Sequence, residues 1–172
     1  MPYGAGTIGT QGPQGTAGPQ GPAGAQGPQG NQGLSGQYGY AGTIGVSSAE
    51  VATGQATSAT SYVDLETPAS VTLTTGNSAI IIMSAQAKRT TTGGGHTAYI
   101  SFAVSGNTTI AASDAYCTYS SPNYSFWVLS LQGVYFLNNL TPGSNTFTMK
   151  YKSSNVNVPF AFSSRRITVI PL

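Results

Sequence analysis

Charge, cysteine and histidine are all scarce in this chain of 172 residues. It carries six Lys/Arg, four Asp/Glu, one His and one Cys. A single cysteine, Cys117, excludes an intrachain disulfide framework. The cations are scattered as Lys88-Arg89, Lys150, Lys152 and Arg165-Arg166, for a net charge of +2. Phosphate binding needs a concentrated basic face, so no nucleic-acid partner is expected. There is no apolar run of the length a transmembrane helix needs, about 18 residues, and no membrane partner is expected. The start, Met1-Pro2-Tyr3-Gly4, has neither the basic stretch nor the apolar core of a secretory signal. A surface low in charge and rich in Thr, Ser and Asn suits a protein that sits in an assembly.

The same scarcity thins the search for chemistry. His96 stands alone at the end of a loop, Lys88 to His96; only three copies converging on an axis would make it a metal site. Asp64 and Glu66 lie two apart on an expected strand and so share a face. Paired carboxylates serve acid–base work or calcium binding, but without a third acid nearby they read as a solvated strand edge. Cys117 has no basic neighbour and reads as a small buried hydrophobe. No Gly-x-Ser-x-Gly elbow, phosphate-cradling loop or Cys-x-x-Cys is present. An enzyme is not expected, and no catalytic residue, metal or cofactor is assigned.

What the chain has in abundance is glycine. It falls at every third position through Gly6, Gly9, Gly12, Gly15, Gly18, Gly21, Gly24, Gly27, Gly30, Gly33, Gly36, Gly39, Gly42 and Gly45. Only glycine fits the crowded axis of a collagen triple helix, so this period predicts three wound chains and makes each of these glycines a trimer-interface residue. The composition is weaker than the period. Proline fills the first variable slot only at Pro13, Pro19, Pro22 and Pro28, and never the second. That is below the roughly 15–20% imino content of a robust collagen. Glutamine takes the second slot at Gln11, Gln14, Gln20, Gln26, Gln29 and Gln32, and no charge is present to form ion pairs. Such a helix needs a trimeric clamp; the alternative is an extended Gly/Gln/Pro arm lying on another protein. Wound, it would span on the order of 120–130 Å at about 3 Å per residue.

The expected organisation is an N-terminal peptide (1–5), the repeat (6–47), a small-residue connector (48–57) and a head (58–172). The head is all β. Ser, Thr, Val, Ile, Tyr and Phe dominate it, broken by Gly, Asn and Pro. Strands are expected at 59–65, 69–75, 78–88, 97–105, 108–113, 123–132, 133–139, 145–153 and 158–170, with turns such as Gln132-Gly133 and Thr141-Pro142-Gly143-Ser144 between them. This spacing predicts an antiparallel β-sandwich of the jelly-roll kind.

Phe147, Met149 and Tyr151 alternate with Thr146, Thr148, Lys150 and Lys152, one face in the core and one in water. Ala79-Ile80-Ile81-Ile82-Met83 and Phe126-Trp127-Val128-Leu129 are apolar on both faces. A sandwich covers only one face of a strand, so Ile80, Ile82, Trp127 and Leu129 are expected at a trimer interface of the head; a loop or the connector is the alternative cover. The best candidate for partner contact is the stretch 114–124. Its Tyr116, Tyr119 and Tyr124 give rigid amphipathic area, with serines for adaptable hydrogen bonding. Packing down on the sandwich would be the ordinary role of such tyrosines. Tyr38 and Tyr40 stand where they could pack around the start of the head.

A short collagen-like stalk joined to a compact β head resembles the trimeric fibre and decoration proteins of tailed bacteriophages. Leu140-Thr141-Pro142-Gly143-Ser144-Asn145-Thr146-Phe147-Thr148 and the closing Arg166-Ile167-Thr168-Val169-Ile170-Pro171-Leu172 are similar to heads on such proteins. The same plan resembles spore-coat filaments and complement-type proteins; the lack of a signal sequence argues against the latter. The resemblance implies a homotrimeric virion protein on the capsid surface, a decoration, cement or head-fibre protein whose partner is the major capsid protein or another virion protein. The alternatives it leaves are a receptor-binding tail-fibre tip contacting a host-surface glycan, and a bacterial surface or spore-coat filament.

Overall fold

A computed structural model of the chain describes residues 4, 6, 9–21, 45–92, 95–121 and 128–172. Two compact units separate at Tyr40/Ala41. In the first, residues 9–21 are exposed throughout and form no strand. Proline removes ladder donors and closely spaced glycine weakens strand formation, which favours extended, unpaired backbone there.

The described part of the second unit holds nine strands: β1 (Ser47–Val51), β2 (Gln55–Thr57), β3 (Ser70–Thr75), β4 (Ala79–Arg89), β5 (Ala98–Gly106), β6 (Thr118–Ser120), β7 (Val128–Leu137), β8 (Gly143–Ser153) and β9 (Phe160–Pro171). A single 3-10 turn, Asp114–Tyr116, precedes β6. A five-stranded sheet has the order β1-β9-β4-β7, with β2 also on β9; a four-stranded sheet has the order β3-β8-β5-β6. Every pair is antiparallel. The pairs β5/β6, β4/β7, β3/β8 and β1/β9 are nested, as in one long hairpin rolled up on itself.

Alternation builds the core. Ala79, Ile81, Met83, Ala85 and Ala87 of β4, Phe147, Met149 and Tyr151 of β8, and Phe160, Phe162, Ile167 and Val169 of β9 all point into one buried cluster drawn from both sheets. Rings bridge the layers: Tyr151 lies 5.0 Å from Phe162, and Phe102 lies 5.8 Å from Tyr135. Each large apolar side chain buried in this way contributes about 1.5–3 kcal/mol.

Four expectations change. Residues 48–57, read as a connector, supply most of β1 and all of β2 and so belong to the sheet. Stretches 59–65 and 108–113 contribute only the single bridges Val63–Tyr151 and Ile110–Val104. Asp64 and Glu66 therefore lie on a loop, not a strand, and Lys150 Nζ reaches both Asp64 carboxylate oxygens at 2.6 Å. Gln132-Gly133 is not a turn, because β7 runs straight through it with Gly133 opposite Met83. A Cβ on Gly133 would come within 2.7 Å of the Tyr135 ring, so glycine is there to let that ring lie over the strand.

Sequence pattern also conceals a bulge in β9. The β4–β9 register shifts between Ser84 and Gln86, and Ser164 adopts φ +46°. The extra residue inverts the alternation and turns Arg165 inward, fully buried. Its guanidinium donates to the Thr67 carbonyl (2.9 Å), the Gln55 side-chain oxygen (2.8 Å) and the Thr53 carbonyl (3.3 Å). A buried charge held by neutral oxygens fastens the 53–67 segment to the sheet.

Candidate functional site

Among the described residues no group of three or more His, Cys, Asp or Glu side chains is arranged to hold a metal. His96 is half-buried in the loop before β5, and Cys117 is a half-buried free thiol just after the 3-10 turn. The features with functional content are the outer faces of the two sheets and the repeat.

On the four-stranded sheet, Lys152 of β8 sits opposite Tyr99 of β5, and Tyr99 in turn sits opposite Tyr119 of β6. The Lys152 ammonium lies 4.5 Å from the Tyr99 ring centre and 4.6 Å from that of Tyr62. It pairs with Asp114 at 2.6 Å, and the Tyr62 hydroxyl donates to the same carboxylate oxygen at 2.8 Å. The cation is held by two ring faces and a carboxylate. Lys152, and then Tyr62, hold the Asp114 carboxyl below its ordinary pKa. Burial, and then the bond to Asp114, push the Tyr62 phenol well above its own.

Of the described tyrosines singled out in the sequence, Tyr119 is the one that faces solvent. It is 65% exposed, and its ring is 5.5 Å from that of Tyr99. Tyr116 instead packs against the core, at 5.4 Å from Phe102 and edge-on to Tyr135 at 6.5 Å. Tyr124, like Tyr38 and Tyr40, lies outside the described residues. Sequence reasoning missed Tyr62, Tyr99 and Lys152. Alternation puts Tyr99 and Lys152 on outward positions, but only the β5–β8 register places them side by side.

The five-stranded sheet presents a different outer face. Ile80 lies between Phe136 of β7 and Ile170 of β9, and Ile82 lies between Val134 and Thr168. Phe136 is 59% and Val134 68% exposed. Next come Ser84 with Gln132 and Arg166, then the exposed Arg166–Glu50 ion pair. The face is thus apolar at one end and polar beyond. Ile80 and Ile82, expected at a trimer interface, lie on this outer face. Leu129 does not: it pairs with the buried Ala87 and points inward, one residue out of phase with Val134 and Phe136. Trp127 lies outside the described residues.

In the repeat, Gly6, Gly9, Gly12, Gly15, Gly18 and Gly21 are exposed, and a Cβ built on any of them meets no atom within 4 Å. Gly45 is exposed too, while Gly24, Gly27, Gly30, Gly33, Gly36, Gly39 and Gly42 lie outside the described residues. Nothing within one chain requires glycine at those six positions. Residues 3–59, about a third of the chain, match the family model for the collagen triple helix repeat. The N-terminal part of the chain is collagen-like. The match runs past Gly45 into β1 and β2, so the collagen-like part proper is the periodic run. No curated protein matches the chain significantly. A collagen-like repeat joined to a β-rich unit marks a structural, fibrous protein.

Proposed function

We propose that this chain is a non-enzymatic structural protein of a tailed-bacteriophage virion, working as a homotrimer that decorates the capsid. The observation that carries the reading is a strict glycine period with no crowding inside one chain at Gly6 to Gly21, for which three wound chains supply the steric reason. The nested pairing and the two strand orders support a jelly roll for the second unit. A triple-helical stalk on a jelly-roll head is the plan of the phage fibre and decoration proteins that the sequence resembles. Three heads on one stalk touch the shell multivalently, so weak single contacts add to firm attachment. The partner is the major capsid protein or another virion protein.

Copy number and location in purified particles test this. Hundreds of copies on the shell are expected; a few copies at the tail would overturn the capsid assignment in favour of a fibre. The trimer has its own test. Gly15→Ala would remove the positive far-UV circular-dichroism band of a triple helix, whereas a single-chain arm has open space at Gly15 and would not respond. A second reading, a receptor-binding tip, draws on the exposed Tyr119 ring, with Tyr99 between it and the Asp114–Lys152 pair. Such a ring offers a stacking platform for a sugar, and the carboxylate accepts from its hydroxyls. A glycan array without hits, together with unimpaired adsorption after Tyr119→Ala, would remove it.

A further inference from the structure

We infer that the apolar end of the five-stranded sheet's outer face, the end to which Val46 belongs, is where three heads clamp one another. The inference rests on the trimeric reading above and names the surface that makes the trimer.

Three strands and the residue before β1 contribute to that end. Phe136 of β7, Ile80 of β4 and Ile170 of β9 form one continuous cross-strand row. Ser47 pairs with Val169, so Val46, one residue earlier, flanks Ile170 and completes the row across the sheet. Val46 is 57% exposed. Ile82 and Val134 form the second row. All six side chains are apolar, and none belongs to the buried core cluster. An apolar patch of this kind on an otherwise Ser/Thr-rich surface marks an interaction site.

Its place identifies the occupant. Gly45 is the last glycine of the period, and Val46 is the next residue. Three chains wound to Gly45 deliver three copies of Val46 beside a common axis. Each brings its row Val46–Ile170–Ile80–Phe136 to the same end. The patch therefore meets the equivalent patches of two further copies of this chain. Farther along the same face the rows become Ser84–Gln132 and Glu50–Arg166, a polar margin that can stay in water. The interface has an apolar centre at the axis and a charged rim, as subunit contacts do.

The test uses the full chain and reads mass by sedimentation and triple-helix melting by circular dichroism. The parent should sediment as a trimer. The double variant V134T/F136S should sediment as a monomer at micromolar concentration, and its triple-helix transition should move down or vanish. Both side chains are more than half exposed, so the head should keep its near-UV signal. Should the double variant lose that signal, Val46→Ser decides, because it precedes the first strand. Gln132→Lys, on the polar part of the same face, should leave mass and melting unchanged. Folded variants that stay trimeric with unchanged melting would overturn the clamp and leave the trimer standing. Trimeric variants that no longer bind purified shells would overturn it too, and would assign the face to the shell protein. A monomeric parent would instead remove the trimeric reading itself.

Discussion

Asn145 is the perturbation with the largest expected effect per atom removed. Its side chain is fully buried on β8. The Oδ1 accepts from the Thr108 backbone N–H at 2.7 Å, while the Nδ2 donates to Thr75 Oγ1 at 2.7 Å and to the Thr141 carbonyl at 3.0 Å. Thr108 Oγ1 in turn accepts from the Thr141 N–H at 2.8 Å. One amide therefore ties β3 and the loops entering and leaving the β5 and β8 ends. Asn145→Ala strands the buried Thr108 N–H and the buried Thr75 hydroxyl, each at about 1–3 kcal/mol, and leaves a small void. The expected loss is about 3–5 kcal/mol. For a unit of this size a kilocalorie is worth roughly 3–6 °C, so Tm should fall on the order of 10–20 °C. Asn145→Asp keeps the acceptor but loses both donors and buries an unpaired charge; it should be no better than alanine. Denaturant unfolding followed by near-UV circular dichroism measures the loss. A loss below about 1 kcal/mol for Asn145→Ala would refute the reasoning, because it would mean that water satisfies those groups and the site is not closed.

Arg165→Ala should cost about 2–4 kcal/mol in denaturant unfolding, since it empties a fully buried site and removes the bonds to Thr67, Gln55 and Thr53. Arg165→Lys should recover less than half, because an ammonium cannot make the forked contact. Gly133→Ala forces a methyl against the Tyr135 ring and should cost about 1–3 kcal/mol, partly relieved when Tyr135→Ala is added. Asp114 has a folded pKa held below its unfolded value of about 3.9, so its ion pair contributes fully above about pH 4 and is lost as pH falls through the folded value. Head stability measured against pH should therefore decline on the acid side, and Asp114→Asn should flatten that limb.

Alternation made part of the head legible. Phe147, Met149 and Tyr151 point inward as their pattern demands, and Ile80 and Ile82 lie on the outer face because a run apolar at every position must present both faces. The phase of β7 was not legible. A glycine after Gln132 looks like a turn, and only the Tyr135 ring lying over it shows why a strand tolerates glycine there. The apolar run 126–129 also left the phase open, so Leu129 was expected on the face that Val134 and Phe136 occupy instead. β1 was hidden for another reason. Ser47-Ser48-Ala49 has little strand propensity of its own; pairing with β9 and packing of Ala49 and Val51 on the core decide it. The bulge at Ser164 leaves no mark in the alternation that precedes it, so a buried Arg165 was out of reach. The Lys152 cluster joins residues far apart in sequence, and no single-strand pattern reports register between strands.

The low proline content of the repeat gives the position of the apolar row its importance. Winding three such chains fixes backbone that little imino acid has pre-set, and each triplet gains little in return. A clamp converts that association into an intramolecular event, with an effective concentration set by the slack between clamp and first triplet. Slack costs entropy that grows with its length. Had the apolar surface lain on the four-stranded sheet, the chain from Gly45 would have had to cross the head before winding could start. At Val46 the slack is a single residue. In the proposed trimer, three copies held there would also fix which glycine of each chain meets which, and every further triplet toward Met1 would add to a register already chosen. On this reading the weak repeat and the exposed valines, isoleucines and phenylalanine of one sheet end are two parts of a single device: a repeat with few prolines needs its clamp at the last glycine, and that is where the apolar row stands.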